Sequence, residues 1–219
     1  MEELRPGLHR WTTRHPSWHP ADAFGAEVAC FALQTGDGAL LLVDPLLPPD
    51  AADLLDELAA AAPSKTYIFI TIGYHVRSAA ALSERYGATI HGPETVRGRL
   101  DDDARFAVLT PDGNPAGVKA YTIGRPRRSE RPLLFPSHQA LAFGDALVTT
   151  PDGDLRMWCH DEITPERRAF YRERFAPTLR PLVDAEPQAI LSTHGAPILD
   201  GAAAALRAAA AGEPWYHAS

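Results

Sequence analysis

The chain has 219 residues, a length that suits one domain with a large core. Apolar residues make up 45% and charged residues 22%, which excludes extensive disorder. With 28 acidic against 21 basic residues the net charge is −7, no dense basic run is present, and no apolar stretch is long enough to span a bilayer, so neither nucleic acid nor membrane is expected as a partner. The opening MEELRPGLHR has no apolar signal-peptide core, so a cytoplasmic location is expected. The Trp- and Pro-rich segment with His9, His15 and His19 fits no standard metal spacing and is read as a strand or edge covering the core.

Two apolar runs, Val28 to Leu33 and Ala39 to Val43, flank Gly36-Asp37-Gly38 and predict a β-hairpin ending at Asp44-Pro45. Asp50 is a good N-cap for a helix over 51–62 that carries Leu54, Leu55 and Leu58, with Pro63 as its stop. Thr66 to Thr71 reads as a buried strand, Val76 to Tyr86 as a helix capped by Gly87, and Ala88 to His91 as a further strand before a short helix at 94–100. Five short strand signals follow between Arg105 and Thr150, and together they look like the second half of a sandwich. Among them, four arginines between Arg125 and Arg131 mark a solvated loop. Thr164-Pro165 opens a helix with a break at Pro177, Ala189 to Ser192 is a last strand, and Asp200 caps an alanine-rich helix over 201–211. The two cysteines, Cys30 and Cys159, do not require a disulfide.

Four segments in this order resemble the metallo-β-lactamase superfamily and together cover most of the chain. Leu40-Leu-Leu-Val-Asp44-Pro is similar to its early strand with a structural Asp, and Tyr67-Ile-Phe-Ile-Thr71-Ile-Gly-Tyr-His75-Val-Arg77 stands where its T-H-x-H-x-D-H loop belongs. Gly144-Asp145 resembles the step whose Asp bridges two metals, and Thr193-His194-Gly195 resembles the late metal-binding His-Gly. The resemblance implies a single α/β domain over 1–219 with an αββα sandwich architecture. It also implies that Asp44, Asp145, His194 and the loop from Ile72 to Arg77 converge on one cleft.

The departures bear on chemistry. A dinuclear site needs several imidazoles and a carboxylate around two ions about 3.5–4 Å apart. In the resemblance, Ile72, Tyr74, Val76 and Arg77 fall on ligand positions, and Thr122-Ile-Gly124-Arg125 puts Arg125 where another His belongs. Two stoichiometric zinc ions are therefore not expected. His75, one position from its place, leaves His75, Asp145 and His194 as the candidate catalytic or metal-binding set. Tyr74, Arg77 and Arg125 are candidates for binding a ligand, and either arginine is expected to pair with Asp145 in place of metal charge. His138 and His160 are further candidates without an assigned role.

The leading expectation is a degenerate cleft that binds a small polar or anionic molecule. The alternatives are a mononuclear metal-dependent hydrolase of an ester, lactone, thioester or amide, and a non-catalytic interaction protein on the same scaffold. No cofactor is expected beyond, at most, one weakly held zinc or other divalent metal. No feature of the sequence specifies the ligand or an oligomeric state.

Overall fold

The computed structural model describes residues 1–19, 25–47, 52–62 and 64–216. Asp50 and Pro63, the expected start and stop signals of the first helix, lie outside the described residues. Among the described residues thirteen strands form, in chain order, β1 (Glu2–Arg5), β2 (Leu8–Arg14), β3 (Glu27–Gln34), β4 (Leu40–Val43), β5 (Thr66–Phe69), β6 (Thr89–Gly92) and β7 (Phe106–Val108), then β8 (Lys119–Ala120), β9 (Leu133–Phe135), β10 (Ala140–Phe143), β11 (Leu147–Thr149), β12 (Leu155–Met157) and β13 (Ala189–Ser192). The helices are α1 (Ala52–Ala60), α2 (Ala79–Tyr86), α3 (Pro165–Phe170), α4 (Arg180–Asp184) and α5 (Ala202–Ala211).

The first seven strands lie side by side in sequence order, antiparallel up to β4 and parallel from β4 to β7. A second sheet has the order β13-β10-β9-β8, with β10 and β13 parallel, and β11 pairs with β12 in a small ribbon. Side-chain alternation explains how the sheets stack. Phe31, Leu33, Leu41, Val43 and Phe69 face one way and meet Leu133, Phe135, Ala142 and Leu191 from the second sheet. Their neighbours Cys30, Leu40, Leu42 and Ile68 face the other way, onto Leu55 of α1 and Leu82 of α2. On the far side, Leu141, Phe143 and Ile190 pack on Phe175, Leu179, Leu182 and Leu206. Layers of helix, sheet, sheet and helix result, and because both faces of each sheet are covered, β4, β10 and β13 are buried at every position.

Three expectations need correction. Phe106–Val108 does not join the second sheet; it pairs in parallel with β6 at the edge of the first. β11 leaves the second sheet to pair with Leu155–Met157, a strand too short and too mixed to be legible in sequence. Gly201, at φ 67, takes the N-cap position of α5 in place of Asp200. Cys30 and Cys159 are both buried and free. Among the described residues no helix is long and apolar enough to cross a membrane.

Candidate metal centre

Four strands end at one place. β10 and β13 run in parallel with Phe143 opposite Ser192, so the residues that follow, Asp145 and His194, leave the sheet together. Thr193 N–H donates to the Phe143 carbonyl at 3.1 Å, and Gly195, at φ +92, packs so tightly that a methyl group there would overlap the Thr149 carbonyl. β4 ends at Val43 beside Phe69 of β5, and Asp44, at φ 46, turns its carboxylate inward. That carboxylate accepts from Thr71 N–H at 2.8 Å and from Thr71 Oγ1 at 2.5 Å, and faces His75 Nδ1 at 2.9 Å. A carboxylate accepts only, so Nδ1 carries the proton and Nε2 is turned to the cleft. The single 3-10 turn Gly73–His75 carries the imidazole, with Gly73 wedged against Thr95.

At the centre, Asp145 Oδ1 lies 3.5 Å from His75 Nε2 and 3.5 Å from His194 Nε2. It is buried and has no hydrogen bond of normal length. Donor atoms about 2.0–2.2 Å from a tetrahedral metal lie about 3.3–3.6 Å from one another. The three donors, all within 4.8 Å of each other, therefore fit one divalent ion, and no other group of three or more such ligands occurs among the described residues. Asp44 behind His75 supplies the kind of carboxylate support that would fix the orientation of this imidazole if it held a metal.

The charges agree with this geometry. Burial pushes the Asp145 carboxyl up, but His75, His194 and Arg127 outweigh it and hold the group below the usual carboxylate range. Burial pulls His194 down, against the opposing pull of Asp145, so its imidazole is neutral and ready to ligate. Beneath the turn sits Glu130, fully buried, whose two oxygens accept from Gly144 N–H and Asp145 N–H at 2.9 Å each. Burial first and the Asp145 charge second raise the Glu130 carboxyl well above its ordinary range.

No protein-family profile matches this sequence, and no curated protein matches it. Solved structures do. A metallo-β-lactamase family protein from Thermus thermophilus aligns over 94% of this chain and 78% of its own at 20% identity, with a TM-score of 0.56. A metallo-β-lactamase from Erythrobacter litoralis aligns over 95% and 94% at 15% identity, with a TM-score of 0.62. An archaeal metallo-β-lactamase superfamily protein from Sulfolobus tokodaii aligns over 92% and 83% at 13% identity, also at 0.62. The chain has the metallo-β-lactamase fold.

Within this fold, His75, Asp145 and His194 are brought together, and with Tyr74 and Arg77 they line a cleft of about 400 Å³. Tyr74 is 67% exposed at the rim, with the Arg99 guanidinium 4.8 Å from its ring. The expected pairing of Arg77 or Arg125 with Asp145 is not what the structure has. Arg77, held at φ 44, lines the cleft but directs NH1 to the Asp44 carbonyl at 2.8 Å and toward the Cys30 sulfur. Arg125 is exposed. The groups beside Asp145 are the two imidazoles and, as the nearby arginine, Arg127, whose guanidinium stacks 4.0 Å from the centre of the Trp158 ring.

His160 and, unforeseen, His15, Trp18 and Trp158 also line the cleft. The N-terminal segment thus does more than cover an edge: β2 pairs along β3 and delivers His15 and Trp18 to the site. His138 lies elsewhere, bonded to Ser137 and packed near Gly7. The loop read as solvated holds Glu130 in the core. Its one legible signal is a lone acid in an arginine run just before β9.

Proposed function

We propose that this protein is a mononuclear metal-dependent hydrolase, cytoplasmic, acting on the ester, lactone, thioester or amide bond of a small molecule. The observation that carries the proposal is the Asp145 carboxylate oxygen, buried and unbonded, with an imidazole nitrogen 3.5 Å away on either side. His75, Asp145 and His194 would hold the ion, leaving a coordination position open to the cleft. A divalent ion there supplies Lewis-acid polarisation of a carbonyl and an acidified water. Asp44 keeps His75 Nε2 aimed at the site, and Trp18, Tyr74 and Trp158 add aromatic surface to a cleft suited to a small ligand. The buried free thiols suit a reducing compartment.

The metal-free alternative, a cleft that binds an anionic molecule, is favoured by one feature, the Arg77 side chain in the wall of a cleft that His15 and His160 also line. Elemental analysis of protein supplied with zinc and desalted separates the two. One equivalent retained, together with turnover of a member of an ester, lactone, thioester and amide panel that chelation abolishes, is the expected result. No metal retained would leave the anion-binding cleft, and two equivalents would show that other side chains complete a second site.

A further inference from the structure

The loop at 124–131 stands where the resemblance places a metal-binding histidine, yet it sends a carboxylate under the site. Its neighbours Arg125 and Arg128 are exposed, whereas Glu130 is fully buried. The β10 ladder ends at Phe143, so the amides of Gly144 and Asp145 have no strand partner, and both are taken by Glu130 at 2.9 Å. Gly144 has no side chain to anchor the turn and no room for one, since a methyl group would lie 2.6 Å from Thr71 Oγ1 and 3.3 Å from His75 Cε1. The next residue, Arg131, donates its N–H to the Thr71 carbonyl at 2.8 Å. One short stretch therefore ties the turn that carries Asp145 to the segment that leads into His75.

We infer that Glu130 is a positioning residue for the metal centre: by gripping two consecutive amides it sets Asp145 Oδ1 at ligand spacing from His75 and His194. This rests on the mononuclear reading above. Satisfying two amides alone would not need one side chain that reaches both and whose next residue is also bonded to the Thr71 carbonyl. One carboxyl group with an oxygen on each of two consecutive amides fixes both N–H groups relative to each other, which two separate acceptors would not.

The test uses Glu130→Gln, whose amide turns a donor toward one of the two N–H groups, and Glu130→Asp, which is too short to reach both. Zinc affinity is measured by competition with a chromophoric chelator, the ligand field by the visible spectrum of the cobalt-loaded protein, and the fold by circular dichroism and thermal melting. Both variants are expected to fold and to lose about 10- to 100-fold in zinc affinity, with altered cobalt bands, the range seen when a residue behind a metal ligand is changed. Arg128→Ala, an exposed change in the same loop, should match wild type. A wild-type protein that binds no zinc overturns the metal reading and this inference with it. Wild-type binding that both variants reproduce within about twofold, with unchanged cobalt bands, overturns the role of Glu130 alone. A change in melting temperature without either of those effects, or variants that do not fold, makes Glu130 a residue of the fold and also overturns it.

Discussion

The two halves of the site are built by different means. Asp145 and His194 leave adjacent parallel strands whose pairing sets their separation, so their placement follows from a ladder of backbone bonds in the core. His75 comes from a single 3-10 turn with no such ladder, and its direction depends on one carboxylate, Asp44, which also grips Thr71. Donors on strand ends tolerate sequence drift around them, because register survives most substitutions that keep the faces apolar. A donor on a loop is kept only while its particular supports are kept. The two segments where the resemblance to dinuclear proteins fails, Ile72 to Arg77 and Thr122 to Arg125, are both loops.

The contrast is broken most severely by His75→Ala. That change leaves the Asp44 and Asp145 carboxylates buried without their shared imidazole, at an expected cost of about 3–5 kcal/mol in urea unfolding of the metal-free protein. A loss below about 1 kcal/mol would mean that water reaches both acids. Gly195→Ala attacks the strand-end half. The new methyl meets the Thr149 carbonyl at a φ that side chains avoid, so roughly 2–4 kcal/mol should be lost and His194 displaced. Unchanged stability would place the His194 turn outside the rigid part of the sheet.

Asp44→Asn sharpens the comparison by weakening the support of the loop half alone. Zinc affinity should drop by about 10- to 100-fold, with little change in the far-ultraviolet spectrum. Equal affinity would show that the 3-10 turn holds His75 unaided. Acid should loosen the strand-end half, because burial holds the folded-state pKa of His194 below its unfolded value. The unfolded chain then takes up a proton near pH 6.5 that the folded protein refuses, so this contribution is present above about pH 6.5 and is lost as pH falls below it. In metal-free protein His194→Gln should flatten the acid-side slope by up to about 1 kcal/mol per pH unit. Parallel profiles for the two proteins would show that His194 titrates alike in both states. The smallest effect is expected for Arg125→Ala, within about 0.5 kcal/mol and without effect on zinc affinity, since the side chain is exposed. A large loss would restore this arginine to the site.

Much of the fold was legible because it is written in short-range patterns. The apolar runs at 28–33, 39–43, 140–143 and 189–192 are strands within a residue or two, and Gly87 caps α2 in the left-handed region as its position suggested. His75, Asp145 and His194 were legible through ordered motifs at strand ends, which depend on chain order alone. Other parts depend on partners distant in sequence. Whether Phe106–Val108 joins the first or second sheet is decided by which edge is open, and Leu155–Met157 is a strand only because β11 is there to pair with it. The partner of Asp145 was misplaced for the same reason: sequence shows which arginines are near in the chain, but packing turned Arg77 toward Asp44, left Arg125 in solvent and laid Arg127 on Trp158. Glu130 is the clearest case. Its neighbours in sequence are arginines and loop residues, and only the buried turn after β10, whose two amides have no strand partner, makes its carboxyl group part of the site.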